Sequence, residues 1–166
     1  MHPTRTRRTA VRTALVVLTA VLAVFAAAAP ASAGAPIGFA TEALGEDYCT
    51  LYSTAGEAEW AEIGVEPTVN VTGKAWTSFH RDGRICLGVE PHDRHLEVVA
   101  YDKDAPVDVE YVPMPERDNG IEYAFALTAD ETASIDYLTV AVCRTEPVTG
   151  TQPPHCDGKI VIAPPA

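Results

Sequence analysis

A rhythm of short β-branched runs, broken by turn residues, most constrains what this chain can fold into. Residues 135–143, Ile-Asp-Tyr-Leu-Thr-Val-Ala-Val-Cys, form the longest and clearest run. Side chains alternate faces along a strand, so Leu138, Val140 and Val142 share one side and Cys143 lies on the other. Similar runs cover residues 67–79, 84–89, 96–101, 107–112, 122–127 and 159–163. Between them lie Asp82-Gly83, Asn119-Gly120, Pro113 and Pro115, which turn the chain or block a ladder bond. Asp82-Gly83 centres an expected hairpin over residues 74–89. Val107, Val109 and Tyr111 alternate with Asp108 and Glu110, the period of a half-buried strand. Together these runs give about seven strands at intervals of roughly 8–14 residues, the pattern of an all-β, antiparallel β-sandwich. Two segments depart from it. In residues 54–63, Ala55, Ala58, Trp60, Ala61 and Ile63 line part of a short helix, which Gly56 weakens. Residues 34–45 suggest a flexible leading segment.

The first 33 residues are of another kind. Arg5, Arg7, Arg8 and Arg12 precede a continuous apolar run over residues 14–29. Pro30 ends the run, and Ala31-Ser32-Ala33 places small residues where a signal peptidase needs them. Residues 1–33 therefore read as a secretory signal peptide. The apolar run is shorter than the roughly 20 residues of a membrane span, which disfavours an uncleaved anchor. Cleavage after Ala33 also changes the charge. Residues 34–166 hold eight basic and 23 acidic side chains, a formal charge of −15. A chain so acidic has no basic surface for nucleic acid, and it is repelled by anionic membranes and wall polymers. The expected organisation is residues 34–66 as an N-terminal segment tied by Cys49, then residues 67–166 as the sandwich core.

Export brings the chain to where thiols oxidise. Cys49, Cys86, Cys143 and Cys156 are an even set with three possible connectivities. Pairing between sequence neighbours, Cys49–Cys86 and Cys143–Cys156, is expected. In residues 84–89 the apolar face is Ile85, Leu87 and Val89, so Cys86 points away from it, as Cys143 does from its own. Two such cysteines are poorly placed to join each other through a core. The spacing also contains no Cys-x-x-Cys, which disfavours a metal–thiolate site.

Ala129-Asp130 followed by residues 135–143 resembles the turn and penultimate strand of immunoglobulin-like domains, over about fifteen residues. The tryptophan and tyrosine which that family places near its cysteines are not matched; two residues before Cys143 stands Ala141. The resemblance implies an immunoglobulin-like sandwich architecture and no family membership.

Candidate sites are few. His92-Asp93-Arg94-His95 offers two imidazoles, with His80 or Asp82 as further ligands, but in a loop it lacks the fixed geometry zinc requires. Asp102, Asp104 and Asp108 cluster, as do Glu116 and Asp118. Carboxylates do acid/base work only when burial or a partner shifts them, and a solvated acidic surface accounts for these. Ser53, Ser78 and Ser134 sit in no nucleophile motif. Residues 145–155 form a loop with a disulfide at its base and three prolines, stiff enough to bind at low entropic cost. Of the aromatics Trp60, Trp76, Tyr48, Tyr52, Tyr101, Tyr111 and Tyr123, most are assigned to the core, since aromatic content is only 7%. The expectation is an exported, non-catalytic, monomeric protein with no cofactor and no metal. Its partner would be an extracellular protein or glycan, met by Gln152, Pro153, Pro154 and Trp76. The alternatives are a peptidase-inhibitor-like protein acting through residues 145–155, or a small extracellular hydrolase.

Overall fold

A computed structural model of the chain describes residues 34–63, 66–79, 85–86, 92–117, 119–145 and 155–164. Among these residues the chain forms eight strands: β1 (Ile37–Leu44), β2 (Thr50–Ile63), β3 (Glu66–Phe79), β4 (Arg94–Asp102), β5 (Ala105–Pro113), β6 (Gly120–Thr128), β7 (Tyr137–Arg144) and β8 (Cys156–Ile162). They make two antiparallel sheets of four strands, ordered β1-β2-β3-β6 and β5-β4-β7-β8. Phe39, Val69, Val71 and Leu127 from the first sheet meet Leu96, Val98, Leu138, Val140 and Ile162 from the second in one buried cluster. Each such buried aliphatic side chain contributes about 1.5–3 kcal/mol. The antiparallel β-sandwich is the architecture expected. Its connectivity differs from the immunoglobulin order, in which the fifth and fourth strands follow the second. Here the third and sixth do.

Two local expectations are corrected. Residues 54–63 are not helical. They belong to β2, which is bonded to β1 on one side and β3 on the other, so its backbone groups are satisfied by ladders. Its inward residues recur with period 2 as Tyr52, Thr54, Gly56, Ala58 and Trp60. Residues 34–45 are not loose, because β1 pairs with β2 along its whole length and buries Phe39 and Ala43. The hairpin expected over residues 74–89 falls largely on residues 80–84 and 87–91, which lie outside the described residues. β3 continues to Phe79, with β2 on one side and β6 on the other over Thr68–Trp76. Ile85 is 85% exposed and lies outside any strand.

A row of four residues crosses the first sheet: Phe39, Gly56, Gly73 and Tyr123 are successive cross-strand partners. Phe39 and Tyr123 lean over the two glycines on the inner face. A Cβ on Gly73 would meet Ala55 O at 2.6 Å and Tyr123 Oη at 2.5 Å, and one on Gly56 would meet Phe39 Cζ at 2.8 Å. The absence of side chains there lets β2 and β3 approach closely under two aromatic lids. The Tyr123 hydroxyl shares a hydrogen bond of 2.8 Å with Thr54 Oγ1, and burial raises its pKa against that bond.

The sandwich is also closed along its sides. Thr128 N donates to Asp108 Oδ2 (2.8 Å), joining β6 to β5. The Thr41 hydroxyl donates to Gly158 O, joining β1 to β8 where Gly158 adopts a φ of +63°. Both neighbour disulfides are present. Cys49–Cys86 ties the β1–β2 turn to the segment before β4, with Cα atoms 5.5 Å apart. Cys143–Cys156 joins directly opposed residues of β7 and β8 on the outer face of the second sheet. Such bridges point to an oxidising environment. Among the described residues no helix is long and apolar enough to cross a membrane.

The β1–β2 turn is organised by buried Asp47. Its carboxylate accepts Cys49 N (2.9 Å), Thr50 N (2.7 Å) and Thr50 Oγ1 (2.6 Å). Burial alone would raise its pKa, but these bonds and Arg117 at 3.9 Å hold it below the ordinary 3.8. The folded-state pKa is thus below the unfolded one. Its stabilisation is complete above the unfolded value and is lost as the pH falls through the folded value. Asp47→Asn should cost about 2 kcal/mol at neutral pH and markedly less at pH 3, measured by urea unfolding at both. An equal loss at both would refute the charged role.

Candidate functional site

The two outer faces of the sandwich differ in chemistry. On the first sheet the outward residues are mostly small or polar, including Gly38, Ala40, Ala55, Glu57, Thr72, Lys74, Glu122 and Ala124, with Leu44 and Leu51 paired at one end. Trp76 also lies on this face, half-buried. It stands opposite Ser53 and Gly120, beside a shallow groove lined by Lys74, Ser78 and Asn119. Gln152, Pro153 and Pro154 lie outside the described residues. Their loop is closed at its base by Cys143–Cys156 and by Arg144 N donating to His155 O at 3.0 Å.

Among the described strand residues, the second sheet's outer face exposes Val109, Tyr111 and Val161, against Leu44 on the first. The outward rows of the second sheet are Tyr111–Glu97–Ala141, Val109–Val99–Thr139–Val161 and Tyr101–Tyr137. Val99, Thr139 and Ala141 are buried at its centre. Around them Val109, Tyr111 and Val161 are 38%, 54% and 65% exposed. The Tyr101 and Tyr137 rings stack at 4.9 Å, with planes 9° apart. Tyr111 meets His95 edge-on at 5.3 Å. Strand alternation explains the layout. Leu96, Val98 and Ala100 of β4 point into the core, so His95, Glu97, Val99 and Tyr101 must point out.

This placement corrects the assignment of most aromatics to the core. Tyr52 and Tyr123 are inside, and Trp60 packs inward with Nε1 donating to Ile135 O at 3.0 Å. Tyr101 and Tyr111 are outside. In β5 the apolar residues Val109 and Tyr111 face outward, while Glu110 and Asp108 stand opposite inward-pointing Val98 and Ala100. An edge strand permits this, because its inner positions still reach water at the side of the sandwich. A bulge between Ala100 and Tyr101 turns Val107 back toward the core.

Other candidate chemistry is dispersed. His95 Nδ1 is 3.1 Å from Thr145 Oγ1, whereas His92 Nε2 is 3.6 Å from Glu46. Burial, opposed by Glu97, lowers the His95 pKa and favours the neutral ring. Among the described residues, His95, Glu97 and Cys143 are close enough to share a metal. The Cys143 sulfur is held in a disulfide, however, which leaves two ligating groups where zinc takes three or four. His80 and Asp82 lie outside the described residues. At the end of the sandwich, Glu46 pairs with Arg144, and Asp157 is 3.3 Å from Arg94 and 3.7 Å from His155. The first pair joins the β1–β2 turn to β7, and Arg94–Asp157 joins β4 to β8. Asp108 is committed to Thr128 N and Val109 N, and Ser134 Oγ to Asp102 and Asp136. No protein family, curated protein or solved structure matches the chain in comparisons with each.

Proposed function

We propose that the chain is an exported, non-catalytic protein that binds an extracellular protein through the outer face of its second sheet. The difference between the two outer faces carries this reading. Soluble domains rarely keep a contiguous apolar patch without a use, and tyrosine-rich patches are typical of protein interfaces. The N-terminal 33 residues supply the export signal, and the two disulfides suit the destination.

A glycan reading rests on Trp76, whose ring borders a groove with amide, hydroxyl and ammonium groups. One experiment separates the two. The exported protein is used to capture partners from culture supernatant and from cell-wall polysaccharide. Protein binding at the second sheet predicts at least tenfold weaker capture for Val109→Ser/Tyr111→Ser, about 1.4 kcal/mol or more, with Trp76→Ala unchanged. The opposite pattern, with retention on polysaccharide lost only in Trp76→Ala, selects the glycan reading and rejects the first.

A further inference from the structure

We infer that the partner presents lysine or arginine side chains to the outer face of the second sheet. This rests on the protein-binding reading above and names the chemistry of that partner. Glu97 is the deciding residue. It lies in the middle of the face, with Tyr111 on one side and Ala141 on the other. An apolar partner covering Val109, Tyr111 and Val161 would strip water from the Glu97 carboxylate and leave it unpaired. A charge buried without a partner strongly opposes such a contact. A second copy of the chain docking face to face would bring another Glu97 and worsen the problem. The neighbouring imidazole does not offset the charge, since burial keeps His95 toward its neutral form.

The turns beyond the far end of the face are also acidic. Asp102 and Asp136 flank the Tyr101–Tyr137 stack, both bonded to the Ser134 hydroxyl, at 2.9 and 2.8 Å. A hydroxyl has one proton, so it satisfies one carboxylate at a time. Asp104 adds another acid in the same turn. Lys103 offsets part of this charge, donating its backbone N–H to Asp136 at 2.9 Å, and Lys159 is at the β8 edge. Tyrosine faces beside carboxylates form an established setting for cations. Lysine and arginine also carry aliphatic stems that can cover Val109 and Val161 while the charged head reaches a carboxylate.

The test uses the exported protein and a short synthetic peptide alternating arginine with threonine, with citrulline replacing arginine as control. Backbone amide shifts should move at Glu97, Val99, Tyr111 and Ala141. Affinity should fall about tenfold in Glu97→Gln and stay unchanged in Glu57→Gln, which removes the same charge from the opposite face. Equal binding of the citrulline peptide would overturn the inference, as would equal loss in both variants. Capture of the natural partner is measured in parallel. If Tyr111→Ser abolishes it and Glu97→Gln does not, the binding face stands and its cationic partner is rejected. If neither variant weakens it, the face itself is rejected.

Discussion

A protein lacking the Cys49–Cys86 bridge, with both cysteines replaced by alanine, should unfold about 4 kcal/mol more easily, lowering Tm by roughly 15 °C. The bridge closes a loop of sequence separation 37, so it removes many conformations from the unfolded chain. It also anchors a turn that the sheets hold only from one side. Cys49 is fully buried beside Asp47, whose carboxylate accepts the Cys49 N–H. Freeing this segment should loosen that turn as well. The same change at Cys143 and Cys156 should cost less, about 3 kcal/mol, because the separation is only 13 and the β7–β8 ladder already sets those positions. Urea unfolding of both variants, beside reduced wild type, checks the order. A larger loss at the second bridge would show that loop entropy does not set the difference.

Gly73→Ala should cost about 3 kcal/mol, near the upper end for forcing one methyl into a packed interior. The new methyl would sit 2.6 Å from Ala55 O, a backbone atom that cannot rotate away. Tyr123→Phe should therefore not rescue it, although it removes the nearest hydroxyl. Gly38 provides the internal control. It lies on the outer face of β1 with open space around it, so Gly38→Ala should fall within about 0.5 kcal/mol of wild type. Thermal unfolding of the two single variants and the double variant decides. A mild effect at Gly73 would mean that β2 and β3 can separate freely, contrary to the close approach.

Local alternation made much of the architecture legible. It placed β7 and the off-core direction of Cys143, and that parity correctly favoured a bridge within a sheet over one between sheets. It failed where long-range pairing decides. Residues 54–63 scatter alanines and a tryptophan in a way compatible with either period, and only β1 and β3 on both sides make them a strand. Residues 84–89 read as a hairpin partner for β3 from their own sequence, whereas nothing local marks β6, far away in sequence, as the strand that lies beside β3. The candidate face escaped detection for a related reason. Tyr111 and Val109 alternate with acids, as a half-buried strand should. Which side is buried follows from β5 being at an edge, a fact of topology and not of its own residues. The chemistry of Glu97 emerges only after Tyr111 and Ala141 become its neighbours.

The side closures have a consequence for life at high concentration. A two-sheet sandwich has four edge strands, and each unpaired edge can template another chain into an extended stack. Here Asp108 occupies a backbone donor of β6, and Thr41 occupies a backbone acceptor of β8. Pro106 and Pro113, within β5, present no donor at all. Blocked donors and acceptors of this kind leave fewer edge groups free to pair with another chain.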